Sequence, residues 1–287
     1  MSKKTKVAII GANGQLGFDL ARSFRPDFEV IEFTIDDFDV SDAPDVEKMI
    51  AKAKPSLVIN TAAFHNTEEC ERNPAKSFSV NAVGAWNVAR AAQAAGASVV
   101  YISTDYVFDG SKPAFKEEDK PNPLNVYGAS KLSGEFLTQI ANTDAYVVRT
   151  SWLYGANPSH KGHNFITKML ALAQNGGQIR IVDDQIGAPT YTVDLACKIK
   201  ELIQHKALPG LYHITNQQHT SWYGFAKKIF EMKGITKEII PIATAESGSN
   251  IGRPLSSVLA NGTLVKAGIA PMRTWTEALA SYIEEVS

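Results

Sequence analysis

The chain has 287 residues, with 29 basic against 30 acidic side chains, a net charge of −1 and 44% hydrophobic residues. Its charges are interspersed, which argues against a nucleic-acid or membrane-surface partner, and its longest apolar runs, VAII and SVVYIS, are strand-length rather than membrane-spanning. Two cysteines, Cys70 and Cys197, cannot make a disulfide framework and show no metal-ligand spacing. The N-terminus enters a strand without a secretory signal, so a reducing cytoplasm is the expected setting.

The first 150 residues alternate strand and helix patterns. KVAIIGA is a β-branched run ending in glycine, QLGFDLARSFR an amphipathic helix, FEVIEFT a second strand and APDVEKMIAKA a second helix. SLVINTAA, the long Ala-rich helix PAKSFSVNAVGAWNVARAAQAAG, the strand SVVYIST, the helix SKLSGEFLTQIAN and the strand AYVVRTSW follow. Continuous apolar strands between helices predict a parallel sheet covered on both faces, a Rossmann-like doubly wound α/β fold over residues 1–150. The strand QIRIVDD and helix TVDLACKIKELIQ, within 176–205, are expected to complete that sheet. Residues 151–175 and 206–287 make a smaller substrate-binding lobe over the C-terminal edge of the sheet, where such folds bind ligands.

The segment GANGQLG sets Gly11, Gly14 and Gly17 between the first strand and first helix. Gly11 suits a tight turn, Gly14 a close approach of backbone to a pyrophosphate, and Gly17 close packing of helix on strand. The intervening Asn13, Gln15 and Leu16 belong to the same dinucleotide site. At the end of the second strand stands neutral Thr34, followed by Asp36 and Asp37, so NADPH and NADH both stay open. Asp39 and Val40 are placed at the adenine edge, and Ala62 and Ala63 end the third strand with little bulk.

In NVYGASKLSGE, Tyr127 and Lys131 are one helical turn apart, with small residues between them that leave room for a cofactor. A phenol is a poor proton donor at neutral pH unless a positive charge lowers its pKa, which Lys131 is placed to do. Thr104, ending the fourth strand, can offer its hydroxyl to the same substrate oxygen. Trp152 follows the sheet's C-terminal edge and is expected against the substrate.

These motifs resemble the extended short-chain dehydrogenase/reductase family. STDYVFDG, PLNVYGASKLSGE, RTSWLYG and DQIGAPT resemble its dTDP-4-dehydrorhamnose reductase subgroup, from Lys6 to about Ile283. The resemblance implies Thr104, Tyr127 and Lys131 as a catalytic triad, with Asp105 and Trp152 beside the sugar. It also implies Asn164, Phe165 and the DQIGAPT residues Asp184, Gln185, Pro189 and Thr190 near the nucleotide, with Arg253 a phosphate or nucleotide contact. The implied reaction is hydride transfer from NADPH or NADH to the C4 ketone of a dTDP-linked 4-keto-6-deoxyhexose, giving dTDP-L-rhamnose. Two alternatives stand beside it. One is a nucleotide-sugar epimerase or dehydratase that keeps NAD bound. The other is a non-catalytic regulator resembling the regulatory subunit of methionine adenosyltransferase.

The segment AAFHNTEECE departs from the subgroup's pattern and brings His65 and Glu68 to the rim of the site. After GAPT come Tyr191, Thr192 and Val193 before Asp194, so a metal-bridged dimer is not carried over, although a homodimer stays open. His160 and His163 read as a solvated or substrate-lining loop without a third ligand, and no metal is expected. Both cysteines read as packed thiols, and Trp222, Tyr223, Phe225 and Phe230 as core. Glu117, Glu118 and Asp119 read as a solvated face.

Overall fold

The computed structural model describes residues 4–157, 162, 164–175 and 177–287. Six strands form one parallel sheet: β1 (Lys6–Ile10), β2 (Glu29–Phe33), β3 (Leu57–Asn60), β4 (Ser98–Thr104), β5 (Ala145–Thr150) and β6 (Gly210–His213). Their order is 2-1-3-4-5-6. The register sets Ile10 beside both Phe33 and Asn60, and Thr104 beside Thr150, so the strand ends form one edge.

The strands are largely apolar because both faces of the sheet are covered, although the edge strand β2 keeps Glu29 and Glu32 exposed. Val7, Ile9, Ile59, Val100 and Val148 pack on Leu20 and Phe24 of the helix Gln15–Phe24, and on Leu195 and Ile199 of the helix Thr192–Gln204. Ala8, Ile10, Val58 and Val99 pack on the opposite side, against the helices Ala43–Ala53 and Gly84–Ala94. The chain leaves β1 outward to β2 and returns on its other side to β3. That reversal opens a crevice beyond their carboxyl ends.

The sixth strand does not come from 176–205. Ile179–Val182 pairs in parallel with Ile239–Ile242 in a separate two-stranded ribbon, and β6 takes the place beside β5. The difference lies in the burial each segment can accept. Arg180 is exposed and Ile181 and Val182 are only half-buried, whereas Tyr212 and His213 are buried, and Tyr212 stacks near Tyr146. From 176–205 the helix Thr192–Gln204 does pack on the sheet.

The long Ala-rich helix is interrupted by a π-helical turn, Ser79–Val83, between Pro74–Phe78 and Gly84–Ala94. Cys70 is buried, but Cys197 is exposed on the outer face of its helix. Glu117 is not a solvated side chain: its carboxylate accepts from the amides of Thr263 and His213. The smaller lobe has its own core of Tyr154, Ile166, Met169, Phe225, Ile229, Trp275 and Leu279. No helix among the described residues is long and apolar enough to cross a membrane.

Candidate active site

A cavity of about 470 Å³ lies at the carboxyl edge of the sheet, between the glycine loop and the smaller lobe. At one end are Gly11, Gly14 and Gln15 to Gly17, with Ala62 and Ala63 beside them. The glycines are required by space. A Cβ on Gly11, whose φ is +81°, would stand 2.7 Å from Thr61 Oγ1, and one on Gly17 would stand 2.1 Å from the Gly11 carbonyl. Gly14 is the N-cap of the first helix without a side-chain cap, and the first turn carries no acid. Its leading amides are therefore open to an anion, and the residues present fit a dinucleotide pyrophosphate.

Of the other residues assigned to the cofactor, Tyr127 and Lys131 also line this cavity, whereas Asn13, Thr34, Asp39 and Val40 do not. Asn13 is exposed, and its carbonyl accepts from Asn157 Nδ2 at 3.0 Å. Thr34 donates through its amide and hydroxyl to Asp37 at 2.8 and 3.2 Å, which occupies one of the two acids that follow it. Asp39 accepts from the Ser41 amide and hydroxyl, while buried Val40 packs on Gly84.

Midway along the cavity stand Thr104, Asp105, Tyr127 and Lys131. The last two ride on the helix Val126–Ala141, which Asn125 caps by accepting from the Gly128 amide at 2.8 Å while donating to the Gly252 carbonyl at 2.9 Å. The small residues between tyrosine and lysine serve the protein, not a cofactor. A Cβ on Gly128 would meet the Tyr106 carbonyl at 2.1 Å, and buried Ser130 bonds Ser77, Asn81 and the Tyr127 carbonyl.

Burial dominates the charges of this cluster. Burial holds the Tyr127 phenol above its ordinary range, with the Thr104 hydroxyl drawing it back down and Asp105 pushing it further up. Burial pushes the Lys131 amine down to about 7, against the pull of Glu135. Asp105 is likewise raised to about 6 by burial, opposed by the hydroxyls of Ser257 and Thr104. Thr104 donates to Asp105 Oδ1 at 3.0 Å, and Asp105 Oδ2 has no partner among the described residues.

Beneath this cluster Glu135 forms a bidentate pair with Arg149 at 2.8 and 2.7 Å, both side chains 3% exposed, and also accepts from Ser103. Sequence reasoning missed this pair, although Glu135 is the next helical turn after Lys131.

At the far end Trp152 adopts a left-handed backbone, φ +48°, and stacks on Trp222 at 3.6 Å and 6°. A Cβ on Gly187 would lie 2.4 Å from the Trp152 ring, so the glycine of DQIGAPT makes room for it. Trp222, read from its spacing as core, lines the cavity instead, along with Asn164, Phe165 and Lys168. Phe225 also lines it, while Phe230 lies in the lobe's core.

Asn164 caps the helix Phe165–Gln174 and donates to Gly155 O at 3.0 Å. Buried Gln185 donates to Thr244, and Asp184 accepts from that same threonine, so both brace the lobe and neither lines the cavity. Arg253 lies outside the lining, near Tyr106, with its Nε buried and unpartnered among the described residues. Tyr106 in turn meets the Tyr127 ring edge-on at 6.0 Å. His65 reaches the lining, whereas Glu68 is exposed on the short helix Thr67–Arg72. His160 and His163 lie outside the described residues.

Known proteins bear on this arrangement. The RmlD substrate binding domain family matches residues 5–287. The spore coat polysaccharide biosynthesis protein SpsK of Bacillus subtilis is 40% identical over 285 residues, covering 99% of this chain and 98% of that protein. A dTDP-4-dehydrorhamnose reductase of Sinorhizobium fredii is 34% identical, covering 95% of each chain. Among solved structures, the dTDP-4-dehydrorhamnose reductase of Bacillus anthracis in complex with NADP superposes with a TM-score of 0.94 at 38% identity, covering 98% of this chain and 99% of that one.

Proposed function

The chain belongs to the RmlD substrate binding domain family, and from that premise we propose that it reduces the C4 ketone of dTDP-4-dehydrorhamnose to give dTDP-L-rhamnose, with NADPH as the reductant. The observation that carries this reading is a single cavity. It joins an uncapped helix terminus behind a glycine loop to the hydroxyls of Thr104 and Tyr127 and the amine of Lys131. The bound nicotinamide supplies the hydride. The choice of NADPH is supported by the NADP complex of the Bacillus anthracis enzyme and by neutral Thr34 at the end of β2.

Tyr127 gives its proton to the oxygen that leaves the carbonyl state. A phenol held above its ordinary range resists that transfer in the resting protein. The resistance falls when the Lys131 ammonium faces the forming phenolate and the Thr104 hydroxyl bonds the substrate oxygen. Fixed geometry supplies much of the remaining advantage, since Thr104 ends β4 and Tyr127 and Lys131 ride the first two turns of one helix. The stacked indoles of Trp152 and Trp222 close the far wall and exclude water from the sugar.

The test is a spectrophotometric assay of purified protein with dTDP-4-keto-6-deoxy-L-lyxo-hexulose made in situ, run with NADPH and NADH separately. Oxidation of NADPH with matching appearance of dTDP-rhamnose is the expected result. Dinucleotide binding without oxidation of either cofactor would overturn the reductase reading and favour an epimerase or a regulatory subunit.

A further inference from the structure

A buried ammonium needs a partner, and the one beneath Lys131 is aromatic. Lys131 is 2% exposed, and its Nζ stands 4.0 Å from the centroid of the Tyr101 ring. Tyr101 belongs to β4, is 1% exposed and donates its hydroxyl to the Asn81 carbonyl at 2.8 Å. That carbonyl belongs to the π-helical turn Ser79–Val83, where the widened turn breaks the regular ladder of the Ala-rich helix. Asn81 is itself fixed, accepting from the Phe64 amide at 2.8 Å and donating to the Ser130 hydroxyl at 2.9 Å. Gly134 leaves the space: a Cβ there would lie 2.2 Å from Asn81 O and 2.3 Å from the Tyr101 hydroxyl.

We propose that Tyr101 is a positioning residue whose ring face seats the Lys131 ammonium, keeping it charged and aimed at Tyr127 and the cavity. The ring is locked at its hydroxyl end, so it presents a fixed face to the lysine. An electron-rich face in desolvated surroundings attracts a cation more strongly than at a protein surface. Other groups face Lys131 as well. On its own helix they are Tyr127 and Glu135, and the latter is shared with Arg149 of β5 and Ser103 of β4. Thr104 at the end of β4, Asp105 next to it and His65 line the same cavity as Lys131. The ring adds to the pull of Glu135 without competing with Arg149 for its oxygens. The catalytic consequence rests on the function proposed above, whereas the seat itself does not.

The experiment changes the electronics of the ring and leaves its shape nearly alone. Tyr101→Phe and mono-, di- and trifluorinated phenylalanines at position 101 are made in the full chain. The titration midpoint of Lys131 is then followed by NMR of ¹³Cε-labelled lysine in the unliganded protein, with Lys131→Met identifying the signal. We expect Tyr101→Phe to stay near wild type. Progressive fluorination should carry the midpoint down by about one pH unit and raise KM for NADPH in step, with unchanged thermal melting. A midpoint that stays constant across the series overturns the proposal, because a ring that merely fills space would give that result. Wild-type turnover in Lys131→Met would count against the reductase reading alone, since the titration still decides the seat.

Discussion

Burial makes Tyr127 a reluctant acid, and it ties the phenol's usefulness to the groups around it. The hydroxyl of Thr104 draws its proton affinity down while burial and Asp105 push it up. In Tyr127→Phe the ring keeps its packing against Tyr106 and loses the hydroxyl, with its proton and its bond to Thr104. We expect kcat to fall by about 10²–10⁴, while the dinucleotide Kd, read by fluorescence titration, changes less than twofold or so. A variant within tenfold of wild-type kcat would remove Tyr127 as the donor. At this scale the sequence was legible where a functional pair shares one element, as Tyr127 and Lys131 do on one helix. It was opaque where the partner comes from elsewhere. Tyr101 looks like any core residue of an apolar strand until Lys131 lies over it, and Trp222 looks like the apolar face of a helix until Trp152 stacks on it. How far burial shifts both groups was also unreadable, because it depends on the packed molecule around them.

Elements announce themselves by the burial they demand. The first five strands were visible as short runs rich in Val and Ile because helices cover both faces of the sheet, even where the edge strand β2 admits Glu29 and Glu32. The sixth was misplaced. IRIV carries more β-branched residues than GLYH, yet Arg180 needs a solvent face that the sheet beside β5 does not offer. The glycine loop shows the same logic at closer range, and its glycines are not equivalent. A Cβ on Gly17 would meet the Gly11 carbonyl at 2.1 Å, whereas one on Gly14 would lie 3.2 Å from that same oxygen. Gly17→Ala must therefore push helix from strand, at a cost of about 1–3 kcal/mol, and spoil the anion cradle with it. The expected outcome is a lower melting temperature and at least a tenfold weaker NADPH affinity, roughly 1.4 kcal/mol. Gly14→Ala should keep the melting temperature and lose only affinity. Equal thermal losses in the two variants would show that close helix–strand contact is not what Gly17 supplies.

At the scale of the whole molecule the lobes are joined by charge as well as by the cavity. Arg22 of the first helix pairs with Glu285 of the last at 2.7 Å, and Arg273 with Asp194 at 2.8 Å. Such long-range pairs leave no trace in local sequence, which is why the lobe's existence could be read and its attachment could not. The acid response of the fold is likewise a property of the assembled molecule, and two of its buried groups act on it in opposite directions. His213 on β6 is held down to about 3, first by burial and then by Arg149. The unfolded chain takes up a proton near its ordinary 6.5 and the folded chain does not, so the stability His213 contributes is whole above that pH and drains away as pH falls toward 3. Asp105 is raised to about 6, so between 6 and its ordinary 3.8 the folded chain holds the proton and gains stability. From pH 7 to pH 4 each effect is worth roughly 3 kcal/mol, and the wild-type profile should be flatter than either group alone would give. The variants separate them. His213→Gln should lose less stability than wild type across that interval, and Asp105→Asn should lose more, in urea unfolding at the two pH values. If His213→Gln keeps the wild-type pH dependence, the imidazole is not a group that the folded chain holds neutral against the unfolded chain's protonation.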